Sequence, residues 1–467
     1  MVNEEETTED TVAIASIDAE TIGSIYFKNE SNEMTLMLGD DAVWKNSEDE
    51  LFPVNQTYAG NMQSALASVT SSRTLTEVTK DLASFGIDTP AVQVIATLDD
   101  GTTTSIAIGD EAPVAGGYYA TVNEGSEVYI VTAAFYNCFI YTLTEMTASE
   151  TIPTITAENI THLTVENKDK PNVEISYDET SYADYAGFTN WTMKQPYATA
   201  IPADVDAVAT VLSNYASIAF LSCIDYNAKD LSKYGLDDPT ASIALEYYEL
   251  FTKDTAETDT TDSSSTDSAD TAEVETTKVY HDYELIIGTT DEAGNYYAKL
   301  KDSNAVHTIS ADTVATLTAI DAYSTAYHYI NLINIEAIDK IDVELNGETY
   351  TMSLKKSMET VDDVEAEVTK YYFGDKLADE TEFQALYQLM ITPSTERDLP
   401  KDYVKNSQAP YMTITYHFIT DNNKTVTIKY LPYDESFYAV NTNGIEYFLT
   451  DKRKVNEIAD AIVKFQK

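Results

Sequence analysis

Apolar and polar positions recur in one order at three places along the chain. Ile17-x-x-Glu20-x-Ile22-x-x-Ile25-x-Phe27 returns as Ile155-x-x-Glu158-x-Ile160-x-x-Leu163-x-Val165 and again as Ile333-x-x-Glu336-x-Ile338-x-x-Ile341-x-Val343, the mark of three copies of one unit. The last apolar positions of each motif alternate as a half-buried strand does. A polar turn follows (Asn29 to Glu33, Asn167 to Asn172, Asn346-Gly347), so each copy is expected to open with a β-hairpin. Trp44 and Trp191 come next at matched places. Helical stripes then appear at Met62, Leu66, Val69, at Val205, Val208, Leu212, Tyr215 and at Phe383, Leu386, Met390, which predict one amphipathic helix per copy.

The most specific match sets Asp81-Leu82-Ala83-Ser84-Phe85-Gly86-Ile87-Asp88-Thr89-Pro90 against Asp230-Leu231-Ser232-Lys233-Tyr234-Gly235-Leu236-Asp237-Asp238-Pro239. A short helical turn ending on Gly86 or Gly235 at φ > 0, with Phe85 or Tyr234 anchored beside it and Pro90 or Pro239 forcing extension, reads as a structural corner. Copy three keeps only Asp402, Tyr403 and Pro410 of it, so its corner is expected to be built differently. Further strands carry Gly117-Tyr118-Tyr119-Ala120, Asn295-Tyr296-Tyr297-Ala298 and Ser436-Phe437-Tyr438-Ala439, and a last helix carries Val455, Ile458 and Ile462. The expectation is an α+β protein of three serial antiparallel-sheet units with one or two helices each, at 17–154, 155–332 and a divergent 333–467. Residues 252–278, rich in carboxylates, Thr, Ser and Ala, replace copy one's tight Asp99-Asp100-Gly101 turn and are expected to be a disordered hairpin insertion.

Charge narrows the partners. Lys and Arg number 28 against 79 Asp and Glu, a net −51, which repels phosphate backbones and anionic lipid headgroups, so neither nucleic acid nor an electrostatically bound membrane is an expected partner. No apolar run approaches the ~18 residues of a membrane-spanning helix. The acidic residues 1–16 read as a tether or linker that would follow an anchor. Cys138 and Cys223 are too few for a disulfide framework and read as buried free thiols.

The Leu-x-x-Tyr-Gly-Leu-Asp-x-Pro corner at 231–239, the following Ile287-Gly288 and Tyr296-Tyr297-Ala298-Lys299-Leu300 resemble bacterial envelope proteins of the domain of unknown function 4340 family. The resemblance covers copies one and two well and copy three poorly. It implies a single N-terminal anchor or lipoprotein signal, a place outside the cytoplasmic membrane, and a setting beside ABC-type export or gliding-like components. It implies no reaction, cofactor or catalytic residue.

Candidate chemistry is sparse. The five His, at 162, 281, 307, 328 and 417, are scattered, and two align with non-His residues: His162 with Ser24 and Lys340, His307 with Tyr129 and Tyr447. Carboxylate pairs such as Asp40-Asp41, Asp237-Asp238 and Asp362-Asp363 fall at expected turns, where Asp bonds its own backbone, though weak surface calcium binding stays open. No phosphate-cradling motif occurs, so no catalytic, metal or cofactor residues are assigned. Tyrosine is the unusual residue, 34 against 14 Phe and 2 Trp. Tyr118, Tyr119, Tyr296 and Tyr297 are the candidate ligand surface, with strand filling as the plainer role. The expected function is non-catalytic: an extracytoplasmic, membrane-tethered binding or scaffold protein whose partner is an envelope protein or polysaccharide. A surface adhesin or glycan-binding module, and an envelope hydrolase using paired carboxylates, are the alternatives.

Overall fold

The computed structural model describes residues 12–75, 82–113, 116–179, 189–252, 276–361, 364–405, 408–419 and 424–466. Three nine-stranded antiparallel sheets follow one another in series. The first contains β1 (Val12–Ala15), β2 (Ile22–Lys28), β3 (Glu33–Leu38), β4 (Trp44–Asn46), β5 (Val69–Leu75), β6 (Val92–Leu98), β7 (Thr103–Ala112), β8 (Gly117–Val122) and β9 (Val128–Thr132), with helices α1 (Gln56–Ala67), α2 (Ala133–Asn137) and α3 (Leu143–Met146). The second contains β10 (Ile160–Asn167), β11 (Val173–Tyr177), β12 (Trp191–Gln195), β13 (Ile201–Pro202), β14 (Ser222–Asp225), β15 (Ala241–Thr252), β16 (Thr276–Thr290), β17 (Tyr296–Leu300) and β18 (Val306–Ile309), with α4 (Val205–Ser213), α5 (Ala311–Leu317) and α6 (Ala322–Thr325). The third contains β19 (Ile338–Leu345), β20 (Glu348–Val361), β21 (Val364–Phe373), β22 (Lys376–Leu377), β23 (Arg397–Asp398), β24 (Met412–Phe418), β25 (Thr425–Pro432), β26 (Phe437–Thr442) and β27 (Ile445–Asp451), with α7 (Glu380–Ile391) and α8 (Lys452–Phe465).

Strand order shows the repetition. Sheet two runs β13-β12-β11-β10-β15-β16-β17-β18-β14 and sheet three β22-β21-β20-β19-β24-β25-β26-β27-β23, position for position the same. Sheet one shares eight of these places, β4-β3-β2-β6-β7-β8-β9-β5, and adds β1 outside β5. Register agrees as well. Ile25 faces Leu36 and Ala96, Leu163 faces Ile175 and Leu245, and Ile341 faces Met352 and Tyr416. All three opening strands carry a bulge at the same step, Ile22/Ser24, Ile160/His162 and Ile338/Lys340, a device that re-aims a strand without breaking its pairing.

One face of each sheet is covered by its helix. Ala59, Met62 and Leu66 of α1, Val208 and Leu212 of α4, and Phe383, Leu386 and Met390 of α7 are buried, at the i, i+3, i+4 spacing that aligns side chains on one helical face. Val69, which the helical stripe included, instead begins β5, because α1 ends at Ala67. Residues 1–16 are not all tether: Val12–Ala15 pairs with β5 as an edge strand, shielding backbone groups that an open edge would expose. Most of the expected insertion, 253–275, lies outside the described residues, as does the Asp362-Asp363 pair. The insertion's flanks, β15 and β16, are neighbouring strands. By contact density the chain divides into two compact units, Met1–Pro153 with Ile218–Pro239 and Ile287–Val314, and Thr154–Ser217 with Thr240–Ile286 and Ala315–Lys467. Compact units and sequence copies therefore do not share boundaries.

Candidate functional site

A cavity of about 750 Å³ opens in the second unit between α4 and the face of the β10–β12 and β15–β16 strands. Tyr177 and Trp191 are direct partners across β11 and β12, so their rings stand side by side on one face, centroids 5.2 Å apart and tilted 57°. Tyr248 of β15 and Tyr280 of β16 form the next pair at 5.9 Å, and Tyr280 is 62% exposed. Lys278 lies 4.5 Å from the centre of the Tyr248 ring and donates to Glu179 at 2.9 Å. Glu158 and Asp178 bring two more carboxylates, Thr161, Ser176 and Ser213 bring hydroxyls, and Val205 with Ala209 forms the opposite wall on α4.

In copy one the matching tryptophan, Trp44, is buried, and Gln56, the first residue of α1, accepts from the Trp44 N–H at 2.8 Å and donates to the Trp44 carbonyl at 2.8 Å. The helix is thereby clamped to the tryptophan strand. Val205 is the first residue of α4 and has no polar group to clamp with, while the Trp191 carbonyl accepts from the Ala203 N–H at 2.9 Å instead. Helix α4 is also nine residues long where α1 and α7 have twelve, about 4.5 Å shorter at 1.5 Å per residue. The same repeat position is core in copy one and groove wall in copy two.

The corner residues assemble elsewhere, in the first unit. Gly86 and Gly235 take φ of 69° and 66°, and the Leu236 and Gly235 N–H groups bond back to the Leu231 and Ser232 carbonyls at 3.2 and 3.0 Å, the double closure of a helix-ending Schellman turn. Each corner aromatic meets the second tyrosine of a Tyr-Tyr-Ala strand edge-on: Phe85 on Tyr119 at 4.8 Å, Tyr234 on Tyr297 at 5.0 Å. Tyr118 stacks on Tyr136 at 3.8 Å. Of the tyrosines expected as ligand surface, Tyr119 and Tyr297 are thus corner supports, and none of the four lines the cavity. Pro90 and Pro239 stand just before β6 and β15. In copy three Leu431 is buried with Tyr403, Tyr433 and Phe437 around it, and Tyr403 donates to Glu446 at 2.6 Å.

The histidines sit apart. His162 contacts Thr164 at 3.1 Å, His281 lies 3.8 Å from Glu249, His328 stacks on Tyr323 at 4.5 Å, and His417 pairs with Asp342 at 2.8 Å. His307 is fully buried, and register sets it opposite Ala298 as Tyr129 stands opposite Ala120 and Leu449 opposite Ala439. Its copy-three counterpart is therefore Leu449, not Tyr447. Glu150 bridges His307 Nε2 at 3.1 Å and Ser303 Oγ at 2.5 Å. The serine donates to the carboxylate, not to the imidazole, so the three groups do not form a hydroxyl–imidazole–carboxylate relay. Burial holds the His307 imidazole below its usual range despite the Glu150 carboxylate beside it, which favours the neutral ring. Cys223 is buried and free, its thiol pushed up to about 11 by burial; Cys138 is free and partly exposed, less buried than expected. Among the described residues no three His, Cys, Asp or Glu gather as metal ligands, and no helix is long and apolar enough to cross a membrane.

Two contacts between successive copies were not legible in the motifs. Tyr226, just past β14, donates to Asp49 and meets Phe52 edge-on at 5.3 Å. Tyr197, in the matching connection of copy two, donates to Asp398 of β23 at 2.9 Å. Desolvation by the surrounding protein raises the Asp398 carboxyl above its usual range, and Asp321 adds to this, while the Tyr197 hydroxyl opposes it.

Serial antiparallel sheets, each covered by a helix and joined by these contacts, define a tandem α+β repeat protein. The chain belongs to the family described as "Domain of unknown function (DUF4340)", whose model matches residues 44–201 and 191–391. Both matches begin on the tryptophan strands, at Trp44 and Trp191. No curated protein and no solved structure matches the chain.

Proposed function

We propose that this chain is a non-catalytic binding protein, held outside the cytoplasmic membrane by a segment preceding it, that retains an envelope component in the groove of its second copy. The observation that carries this reading is the groove's asymmetry. The tryptophan that is buried and bonded to the helix through Gln56 in copy one is half-buried in copy two, where Trp191 lines a cavity with Tyr177, Tyr248 and Tyr280. Aromatic rings with polar tips on a concave wall are what recognition surfaces favour. The location rests on the family resemblance, and the net charge of −51 suits a partner that is not anionic.

A photo-reactive residue tests it in intact cells carrying the anchored protein. Placed at Tyr280 on the groove rim, it is expected to crosslink an envelope component, and Ala209→Trp, which fills the groove from an exposed helix position, is expected to abolish the product. The same probe at exposed Met37 of copy one should capture nothing. Equal capture at both sites, or capture at Tyr280 unaffected by Ala209→Trp, overturns the reading.

A further inference from the structure

We infer that the ligand of this groove is an uncharged carbohydrate, an inference that rests on the groove being the binding site. Three observations select the class. First, the groove holds Glu158, Asp178 and Glu179 against one lysine, so an anionic ligand would meet net negative charge at short range. Second, Lys278 is engaged on both sides, by Glu179 at 2.9 Å and by the Tyr248 ring at 4.5 Å. A cationic ligand would find that aromatic face already occupied by the protein's own ammonium. Third, the groove presents exposed carboxylates together with the hydroxyls of Thr161 and Ser213, which donate to the Glu246 and Thr210 carbonyls and keep lone pairs that can accept, so a ligand bearing hydroxyl donors gains bonds here that a purely apolar one does not.

A neutral sugar meets all three conditions. Its hydroxyls donate to carboxylates, the stronger charge-assisted kind of hydrogen bond, and its C–H faces pack on aromatic rings whose π-faces are negative. The tilt of Tyr177 against Trp191, 57°, and of Tyr248 against Tyr280, 59°, gives successive rings different facing directions, which suits a chain of sugar rings better than one flat ligand.

Trp44 and Trp191 are the two tryptophans, so Trp44→Phe leaves Trp191 as a reporter inside the groove. Titration of that variant with short N-acetylglucosamine or glucose oligomers is expected to shift Trp191 emission saturably. Tyr177→Ala and Tyr280→Ala are expected to weaken binding roughly tenfold each, the value of one lost aromatic contact. Calorimetric titration of the unsubstituted chain reads the same binding should Trp44→Phe fold poorly. Glucosamine oligomers supply the cationic arm and galacturonate oligomers the anionic arm; preference for either over the neutral sugars overturns the inference. So does the absence of any sugar binding. In that last case, photo-capture at Tyr280 that Ala209→Trp still abolishes leaves the groove reading standing with a non-carbohydrate ligand, whereas loss of both removes both.

Discussion

Gly288 lies directly against the corner of copy two: a Cβ built on it would sit 2.1 Å from the Tyr234 carbonyl oxygen. Gly109 stands in the same relation to the Phe85 carbonyl, also at 2.1 Å. The obstacle is backbone, so Gly288→Ala cannot be absorbed by a side-chain rotation. The corner and β16 must separate by about 1 Å to restore an ordinary contact, and they are held by the Schellman bonds and by the Thr289 hydroxyl donating to the Tyr234 carbonyl at 3.1 Å. Overpacking of this kind costs ~1–3 kcal/mol, and weakening the Thr289 bond adds ~1 kcal/mol, for a total of about 2–4 kcal/mol. At roughly 2–4 °C per kcal/mol for a body of 150–250 residues, scanning calorimetry should show the first unit's midpoint falling by roughly 4–16 °C. Gly60→Ala is the opposing control. It lies inside α1 with nothing within 4 Å of a new Cβ, so alanine should stabilise by ~0.5–1 kcal/mol. A Gly288→Ala midpoint equal to or above the wild type would refute the close-approach argument.

Asp398 has a raised folded pKa, so the folded state holds its proton more tightly and stability falls as pH rises from the ordinary carboxylate value through the raised one; Asp398→Asn, still able to accept from Tyr197, should remove that loss in melting curves taken across acid to neutral pH. Tyr197→Phe should destabilise by ~0.5–1.5 kcal/mol at neutral pH by removing the hydroxyl that donates to this carboxylate, measured by urea denaturation. His307 has a lowered folded pKa, so the unfolded chain binds protons more readily and stability falls as pH drops below 6.5; His307→Leu, which installs the residue that copy three carries at this place, should flatten that slope.

Much of the repeat could be read from the chain because its signals are local. Alternation in the opening strands and the Gly-then-Pro punctuation at 86–90 and 235–239 depend on neighbouring residues alone. The groove was not legible because the differences that accompany it, Val205 in place of Gln56 and a shorter helix, leave no mark in the hydrophobic pattern. Gln56 and Val205 each follow an N-cap, Asn55 and Asp204, and nothing in the helical stripe distinguishes a first residue that bonds back to a strand from one that does not. Tyr177 and Tyr280 are distant in sequence and meet only through pairing of β10 with both β11 and β15, and of β15 with β16. Motif matching sets His307 against Tyr447, whereas pairing sets it against Leu449. An irregularity of β26 and β27 between Val440 and Thr442 lengthens this hairpin by one residue relative to its sister, which motif matching does not reveal.

The contacts between copies suggest how such a chain is kept in series. Asp49 accepts from Tyr226 at the first junction, and Tyr197 donates to Asp398 at the second. The hydroxyl and the carboxylate have exchanged sides while the bond persists, so what is retained is the link rather than either residue. The connection that supplies it spans 47–55 in copy one and 196–204 in copy two, but only 374–379 in copy three, between β21 and α7. At the other end, the place that β14 and β23 hold as outermost strands is covered in copy one by β1. In a repeat array, a copy with neighbours on both sides must offer one linking connection and one receiving edge. Copy three shortens its connection and copy one covers its edge, so each presents one half of the linkage. The middle copy carries both halves, and it is also the copy whose helix is released from its tryptophan strand to leave the groove.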